Sequence, residues 1–207
     1  QRSGRLEPTR LGDEEAVARS FAAITSVRRP LSILVNNAGV AKSARFARTD
    51  RALWDEMLRV NLTGAWLCTQ AAMPSLQQAT WARVVNIAST AGLIGYPYVT
   101  AYCAAKHGLV GLTRALAMEL AATRVTVNAV CPGYTDTEIV RDAVSNVVAR
   151  TGKSEHEARS AFASRNPQGR LVTPDEVAAT VAWLCLPESQ AITGQAIAVA
   201  GGEVTTG

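Results

Sequence analysis

Four short apolar segments, separated by patterns typical of helices, constrain the fold of this 207-residue chain more than any other feature. The segments predicted as strands cover residues 31–35, 83–88, 124–130 and 195–200. Their nearly continuous apolar character is typical of strands that are buried on both faces. Strands that alternate with helices indicate a parallel sheet. We therefore expect an α/β fold with a doubly wound parallel sheet, although four strands are few for that architecture.

Capping residues and turn residues place the helices between these strands. Asp13 is the expected N-cap of the first helix, which has acidic residues in its first turn and ends near Arg28 and Arg29. Thr173 begins the last helix, with Pro174 at its first helical position. The remaining helical patterns cover about 50–76, 100–122 and two shorter stretches within 137–165.

Composition favours a globular protein that binds neither nucleic acid nor a membrane. Hydrophobic residues make up 48% of the chain and charged residues 18%, so a sizeable core can be buried. The net charge is +4, but the basic residues are scattered and form no stripe that would attract a polyanion. The uncharged stretches 60–82 and 84–105 contain Asn, Gln and Pro, whose polar groups a bilayer would leave unsatisfied.

The cysteines and the N-terminal residues favour a cytoplasmic protein. No apolar stretch typical of a signal peptide follows the polar and basic residues 1–10. Four cysteines are spread along the chain without a CxxC pair, and we expect them to be reduced, mostly packed thiols: Cys68, Cys103, Cys131 and Cys185. We expect no metal site.

Polar residues and glycines follow three of the predicted strands. Asn36–Gly39 follow the first strand, Ser89 follows the second, and the segment 132–137 follows the third. Ligands of open parallel sheets bind at the carboxyl ends of the strands, so these are the first candidates for a site. Taken singly, each of them is also typical of an ordinary turn or strand terminator.

Tyr102 and Lys106 lie one turn apart on the same face of the helix predicted between the second and third strands. A free tyrosine has a pKa near 10 and is a poor base at neutral pH. A lysine ammonium nearby is expected to favour the phenolate and to lower that pKa. Ser89 could hydrogen-bond the oxygen whose proton Tyr102 gives or takes. A Tyr and a Lys at this spacing also occur by chance in many helices.

Together these residues resemble the single-domain branch of the short-chain dehydrogenase/reductase family, over roughly residues 13–204. Asn36–Gly39 match the family's NNAG motif. Ser89, Tyr102 and Lys106 match its catalytic residues, with the family's spacing of 13 between Ser and Tyr. Pro132, Gly133 and Thr137 match its PGxxxT segment, and the C-terminal Ile192–Gln195 and Gly201–Gly202 also match. Asn61 matches the family's active-site asparagine, which distorts its helix and holds a water.

The resemblance implies a Rossmann-type fold and hydride transfer between the nicotinamide of NAD or NADP and a carbonyl or alcohol carbon. Tyr102 would donate or accept the proton, Ser89 would polarise the substrate oxygen, and Lys106 would bind the nicotinamide ribose. Asn61 would connect the site to a proton relay through water and Lys106. The residues expected at the cofactor are Asn37, Ala38, Gly39, Tyr102, Lys106, Pro132, Gly133, Thr135 and Thr137.

Within that family the motifs are most similar to those of 3-oxoacyl thioester reductases and polyketide ketoreductases. A CoA or acyl-carrier-protein thioester is therefore the expected substrate. The charged segment at about 137–170 corresponds to the family's substrate lid. Four basic residues of this segment are candidates to meet a phosphate-bearing carrier, or else lie on solvated helix faces: Arg141, Arg150, Lys153 and Arg165. A homodimer or homotetramer built on the helices at 50–76 and 100–122 is also expected.

The chain departs from the family at its N-terminus, because it contains no TGxxxGxG loop, whose backbone N–H groups would bind the pyrophosphate. Arg10 stands where the family places an Asp, and Ala200 where it usually has an Asp. We therefore expect a single but N-terminally incomplete domain over 1–207, with apolar surface exposed on the remaining strands. A truncated active reductase, a missing part on another sequence and an inactive remnant or scaffold unable to bind cofactor are the competing hypotheses, of which we favour the first.

Overall fold

The computed structural model describes residues 12–25 and 30–205, and its centre is a four-stranded, entirely parallel sheet. The strands lie in the order β1-β2-β3-β4 and are β1 (Ile33–Asn36), β2 (Ala82–Ile87), β3 (Val125–Pro132) and β4 (Ala196–Val199). The expected Rossmann-like α/β fold is confirmed. β3 extends beyond its predicted end, because Cys131 pairs with Ala198 and Pro132 pairs with Val199.

Seven α-helices connect and cover the strands within the described residues. They are α1 (Glu14–Thr25), α2 (Arg51–Leu58), α3 (Gly64–Gln78), α4 (Thr100–Glu119), α5 (Glu138–Thr151), α6 (Glu155–Ala163) and α7 (Pro174–Leu184). Asp13 accepts a hydrogen bond from the Ala16 N–H at 3.0 Å and so caps α1 as expected. Thr173 forms a capping box with Glu176 at the start of α7. The expected end of the first helix at Arg28 and Arg29 lies outside the described residues.

Successive residues of the central strands face opposite layers of helices, which explains the continuous apolar runs. Val84 and Val127 are buried against α3 and α4, whereas Val85 and Val130 are buried against Leu184 of α7. Because each strand contributes side chains to both cores, an alternating polar pattern would have placed polar groups in one of them. This arrangement is that of a doubly wound sheet.

β1 is one edge of the sheet, and one of its faces is open. Ile33 is 38% exposed and Val35 is 39% exposed. Both residues lie on the face that α7 covers over the other strands, and α7 packs against β2, β3 and β4. The expectation of exposed apolar surface on the remaining strands is met at these two residues.

A chain of side-chain amides and hydroxyls ties the first two strands to the helices. The Asn36 amide donates to Asn86 Oδ1 at 2.8 Å and to Thr69 Oγ1 of α3 at 3.0 Å. The Asn86 amide donates to Thr113 Oγ1 of α4 at 2.9 Å. The side-chain amides of Asn36 and Asn86 therefore both have partners, and the pairing of these two residues holds the carboxyl ends of β1 and β2 side by side.

Arg83 of β2 is fully buried, and carbonyl groups rather than a carboxylate satisfy its guanidinium. Its N–H groups donate to the Leu186 carbonyl at 3.1 and 3.2 Å and to the Pro187 carbonyl at 2.9 Å. A further N–H donates to Gln190 Oε1 at 3.0 Å. These acceptors follow the end of α7, where the helix dipole favours a cation. Arg83 thus fastens α7 and the turn after it to the centre of the sheet.

Across the part of the chain that is described, no helix combines the length and the apolar character needed to cross a membrane. The same residues contain no group of three or more His, Cys, Asp or Glu side chains arranged to hold a metal ion. All four cysteines are free; Cys68 and Cys131 are buried and the other two are partly exposed.

Replacing Arg83 with methionine is expected to lower the free energy of unfolding by about 3 kcal/mol, because buried carbonyl acceptors lose their donor. Chemical denaturation with urea measures the change. Arg51→Met is the matched control: Arg51 pairs with Asp55 on an exposed surface, and its loss is expected to cost less than about 1 kcal/mol. Equal effects of the two substitutions would contradict the structural role of Arg83.

Candidate active site

The candidate residues gather at the carboxyl edge of the sheet, where the strand order brings the loops after β1, β2 and β3 together. Ser89 lies just after β2, and Tyr102 and Lys106 lie in the first two turns of α4. The Ser89 hydroxyl lies beside the Tyr102 phenol, close enough to lower its pKa. The Lys106 Nζ lies 5.6 Å from the centre of the Tyr102 ring. Three residues separated in sequence thus form one group.

A short turn holds Ser89 in place. Its backbone is extended, and its Oγ accepts a hydrogen bond from the Ala91 N–H at 3.1 Å, which caps the 3₁₀ turn Thr90–Gly92. A Cβ on Gly92 would lie 2.7 Å from the Lys106 carbonyl oxygen. Only glycine lets this turn pack directly on α4, so Gly92 sets the distance between the serine loop and the helix that carries Tyr102 and Lys106.

Burial dominates the acidity of Tyr102. It raises the pKa of Tyr102 to about 12, and the hydrogen bond from Ser89 opposes that rise only in part. The direction is opposite to the lowering by Lys106 that the sequence predicted. The physical reason is that removal from water destabilises the phenolate more than the neighbouring groups stabilise it. Tyr102 is therefore protonated at neutral pH and is placed to donate a proton.

Lys106 is a buried cation with spare hydrogen-bonding capacity. The residue is 4% exposed, and its Nζ donates to the Ile87 carbonyl at 2.8 Å. Burial lowers the pKa of Lys106 to about 8. A lysine ammonium has three donors, and the other two have no hydrogen-bond partner within residues 12–25 and 30–205. A ligand hydroxyl is a suitable acceptor for them.

Asn61 lies in a π-helical turn, Arg59–Thr63, between α2 and α3. Its side-chain amide donates to the Val40 carbonyl at 2.9 Å and the Met57 carbonyl at 3.0 Å, and its Oδ1 accepts from the Val40 N–H at 3.2 Å. The expected distortion of the helix at Asn61 is confirmed. Asn61 is 1% exposed, and its side chain joins the π-helical turn between α2 and α3 to the loop that follows β1.

Gly39 lies between Asn61 and Lys106. A Cβ at this position would be 2.9 Å from Asn61 Oδ1 and 3.6 Å from Lys106 Nζ. The glycine therefore keeps open the space between these two side chains, while Asn37 and Ala38 beside it are exposed at the edge of the sheet. A nicotinamide nucleotide fits a site of this kind, because Gly39 places no side chain beside a buried cation with unused donors.

The segment after β3 forms the other side of the site. A Cβ on Gly133 would lie 3.0 Å from the Ala200 Cβ, so the turn after Pro132 packs tightly on the turn after β4. Thr135 is buried, and its hydroxyl donates to the Gly133 carbonyl at 3.0 Å. Thr137 is the N-cap of α5, and its hydroxyl donates to the Thr135 carbonyl at 3.3 Å. These threonine side chains brace the loop at which the cofactor residues were expected.

Two residues near the site, Tyr96 and Glu203, were not identified from the sequence. The Tyr96 hydroxyl lies 2.8 Å from Glu203 Oε1, and Tyr96 is in the loop between Ser89 and Tyr102. The position of Tyr96 between Ser89 and Tyr102 could have marked it as a candidate from the sequence. Nothing in the sequence pointed to Glu203, because 107 positions separate it from Tyr96.

The chain is similar in sequence and in fold to several known proteins. The family model described as enoyl-(acyl carrier protein) reductase matches residues 8–203. The chain is 37% identical to the 3-oxoacyl-[acyl-carrier-protein] reductase FabG of Aquifex aeolicus over 91% of its own length and 72% of the relative's. It is 38% identical to the D-beta-hydroxybutyrate dehydrogenase of Cupriavidus necator, over 83% of its own length and 67% of the relative's.

Among solved structures, a single-substitution variant of actinorhodin polyketide ketoreductase with NADPH superposes with a TM-score of 0.89 and 36% sequence identity. The match covers 95% of this chain and 76% of that one. The fold, the grouping of Ser89, Tyr102 and Lys106, and these similarities lead to one conclusion. The chain belongs to the short-chain dehydrogenase/reductase family of oxidoreductases.

Proposed function

We propose that this protein is an NAD(P)-dependent oxidoreductase that reduces the keto group of a 3-oxoacyl thioester. The observation that carries the proposal is the grouping of three side chains: the Tyr102 phenol, the Ser89 hydroxyl beside it, and the buried ammonium of Lys106, whose Nζ lies 5.6 Å from the centre of the Tyr102 ring. Two hydroxyls that meet at one point suit a carbonyl oxygen, which needs hydrogen bonds as it gains negative charge.

In this proposal the nicotinamide supplies the hydride when bound, and the residues of the chain manage the substrate oxygen and its proton. Ser89 donates a hydrogen bond to the carbonyl oxygen and polarises it. Tyr102 gives its proton to the same oxygen as general acid. Lys106 uses its unused N–H donors to hold the ribose hydroxyls, and its positive charge stabilises the tyrosinate that remains.

The remaining cofactor contacts come from the loops on either side. Gly39 leaves the space beside Lys106, and Asn37 and Ala38 line the same edge of the sheet. Pro132, Gly133, Thr135 and Thr137 form the wall at the nicotinamide end, where backbone groups of Thr135 would hold the carboxamide. NADPH is the cofactor to test first, because it accompanies the actinorhodin ketoreductase structure.

Names of the relatives support a keto or hydroxyl substrate. FabG and the actinorhodin enzyme are named as reductases of ketoacyl or polyketide groups, and the Cupriavidus necator enzyme as a dehydrogenase of hydroxybutyrate. The family model carries the description of an enoyl reductase. We favour the keto group, since the paired hydroxyls of Ser89 and Tyr102 provide for an oxygen that becomes a hydroxyl.

We further propose that the helical segment at about 137–170 is a substrate lid that carries contacts for a phosphate-bearing carrier. Arg141 lies 3.7 Å from Asp136, so that carboxylate partly offsets its charge. The Arg165 guanidinium lies 5.8 Å from the centre of the Tyr96 ring, at the edge of the site. Arg150 and Lys153 lie at the far end of α5 on exposed surface.

The outer faces of α3 and α4 support the proposal of a homodimer or homotetramer. Trp66 of α3 is 44% exposed and Met118 of α4 is 79% exposed. Gly111, on the outer face of α4, has open space where a side chain would lie, which would allow another helix to approach closely. The four free cysteines favour the cytoplasm as the compartment.

Titration of the 207-residue chain with NADPH and with NADH, followed by cofactor fluorescence, tests whether it holds the cofactor. Saturable binding is expected. With bound cofactor, Tyr102→Phe is expected to lower kcat for acetoacetyl-CoA reduction about 10³-fold, because the proton donor is lost. Tyr98→Phe, an exposed tyrosine in the neighbouring loop, is the control. A folded chain that binds neither nucleotide would instead favour a reductase-like scaffold without activity.

The pH dependence of reduction reports on Lys106. Because burial lowers the pKa of Lys106 to about 8, the ammonium loses its proton as the pH rises through that value. The kcat/KM for reduction is expected to be constant below pH about 7 and to fall about tenfold per pH unit above pH about 8. In Lys106→Arg the cation persists, so the decline should move upward by roughly two pH units or more, toward the tyrosine's range. An unchanged profile in Lys106→Arg would remove Lys106 as the titrating group.

The carrier contact is tested with Arg141→Ala and Arg165→Ala. Each is expected to raise KM for a CoA thioester about fivefold, the effect of one charged contact at a solvated rim, and to leave KM for a small ketone unchanged. Arg51→Ala, on α2 outside the lid, is the control. Equal effects on both substrates would exclude a carrier contact.

A further inference from the structure

We propose that Glu203 is a positioning residue for the reaction, which holds Tyr96 so that its ring forms a wall of the substrate site beside Tyr134. The inference deepens the proposed function and rests on it for the nature of the substrate. It starts from an unusual feature of the structure, namely a carboxylate at the carboxyl edge of the sheet whose second oxygen has no partner among the described residues.

The turn that carries Glu203 is fixed from two sides. Gly201 and Gly202 have φ of 59° and 94°, the left-handed region that favours glycine, and the Glu203 N–H closes the turn on the Ala200 carbonyl at 3.1 Å. The Asn166 amide, which is 4% exposed, occupies the space that a Cβ on Gly201 would take. This packing aims the Glu203 side chain back across the end of β3.

The Glu203 carboxylate accepts a hydrogen bond from the Tyr96 phenol. The Tyr96 oxygen lies 2.8 Å from Glu203 Oε1 and 2.9 Å from Thr90 Oγ1. A phenol has one proton and an ionised carboxylate can only accept, so Tyr96 donates to Glu203 and accepts from Thr90. Burial raises the pKa of Tyr96 well above its usual range, so the phenol stays protonated and can donate this hydrogen bond.

The second carboxylate oxygen of Glu203, Oε2, lies against the turn after β3. Glu203 Oε2 is buried and would lie 2.9 Å from a Cβ on Gly133. One side chain therefore contacts both the loop between Ser89 and Tyr102 and the turn at which the nicotinamide is expected. A link of this kind fixes the distance between the substrate loop and the cofactor loop.

The Tyr96 ring is connected to the lid through two further aromatic rings. Its centre lies 6.1 Å from that of Tyr134 in an edge-to-face arrangement, and Tyr134 lies 5.0 Å from Phe162 of α6. Tyr134 is also among the neighbours that raise the pKa of Tyr102. The three rings therefore form a continuous aromatic cluster from the substrate loop to the lid, adjacent to the proton donor. Glu203 anchors the end of that cluster at which a hydroxyl is available.

Steady-state reduction of ethyl acetoacetate, a small 3-oxoester, tests the proposal in the full chain. Glu203→Ala and Tyr96→Phe are each expected to raise KM about tenfold, the loss of one hydrogen bond to a charged group, with kcat changed by less than about twofold. The double variant is expected to be no worse than either single one, since both remove the same bond. Glu203→Gln keeps an acceptor oxygen and is expected to restore the wild-type KM.

A purely structural role would give a different pattern. Loss of folded protein lowers kcat in proportion and leaves KM unchanged, and this result would overturn the proposal. Tyr96→Phe removes a single oxygen atom, so it keeps the test valid if Glu203→Ala does not fold. Tyr98→Phe, whose hydroxyl makes no hydrogen bond within the described residues, is the matched control and is expected to match the wild type.

Hydrogen–deuterium exchange of residues 90–100 gives a readout that needs no activity. Glu203→Ala and Tyr96→Phe are expected to raise exchange in this segment about tenfold, whereas Glu203→Gln and Tyr98→Phe leave it unchanged. If the wild type reduces no ketone, the proposed function fails while this measurement still decides whether Glu203 positions the loop. Wild-type exchange in both Glu203→Ala and Tyr96→Phe would overturn the inference.

Discussion

Burial of the Lys106 ammonium is the constraint on which the site depends. A cation that is 4% exposed is costly unless polar groups surround it, and here one carbonyl, Ile87, receives its hydrogen bond. The same burial that lowers the pKa of Lys106 also raises that of Tyr102. The site thus holds a proton on the tyrosine and unused donors on the lysine, which is the state that carbonyl reduction needs at its start.

The surrounding fold keeps this arrangement rigid through small residues and paired polar groups. Gly39 and Gly92 remove side chains where a loop or turn meets α4, so that Lys106 and Ser89 can lie close to their partners. Asn61 pairs with the backbone of Val40 from a π-helical turn, and the amides of Asn36 and Asn86 align the ends of β1 and β2. Behind the sheet, Arg83 fastens α7 to β2. The contacts of these glycines and asparagines position the residues of the site, whereas those of Arg83 hold α7 against the sheet.

Local sequence signals predicted most of the architecture. Capping residues such as Asp13 and Thr173 act within a few residues, so the starts of α1 and α7 could be read directly. The continuous apolar strands indicated two helical layers, because such strands need cover on both faces. The direction of the Tyr102 pKa was predicted wrongly. Its charged neighbour Lys106 was visible in the sequence one helical turn away, but burial, which is the largest influence on the pKa of Tyr102, depends on the packed helices and loops.

The sequence by itself determined the family, the order of strands and helices, and the group of Ser89, Tyr102 and Lys106. These features depend on residue types and short spacings, both of which can be read directly from the sequence. The tertiary structure alone decided the partners of Arg83 and the link between Tyr96 and Glu203, the latter joining residues 107 positions apart. Such contacts exist because a parallel sheet brings the carboxyl ends of distant strands to one edge, and no local spacing encodes which side chains meet there.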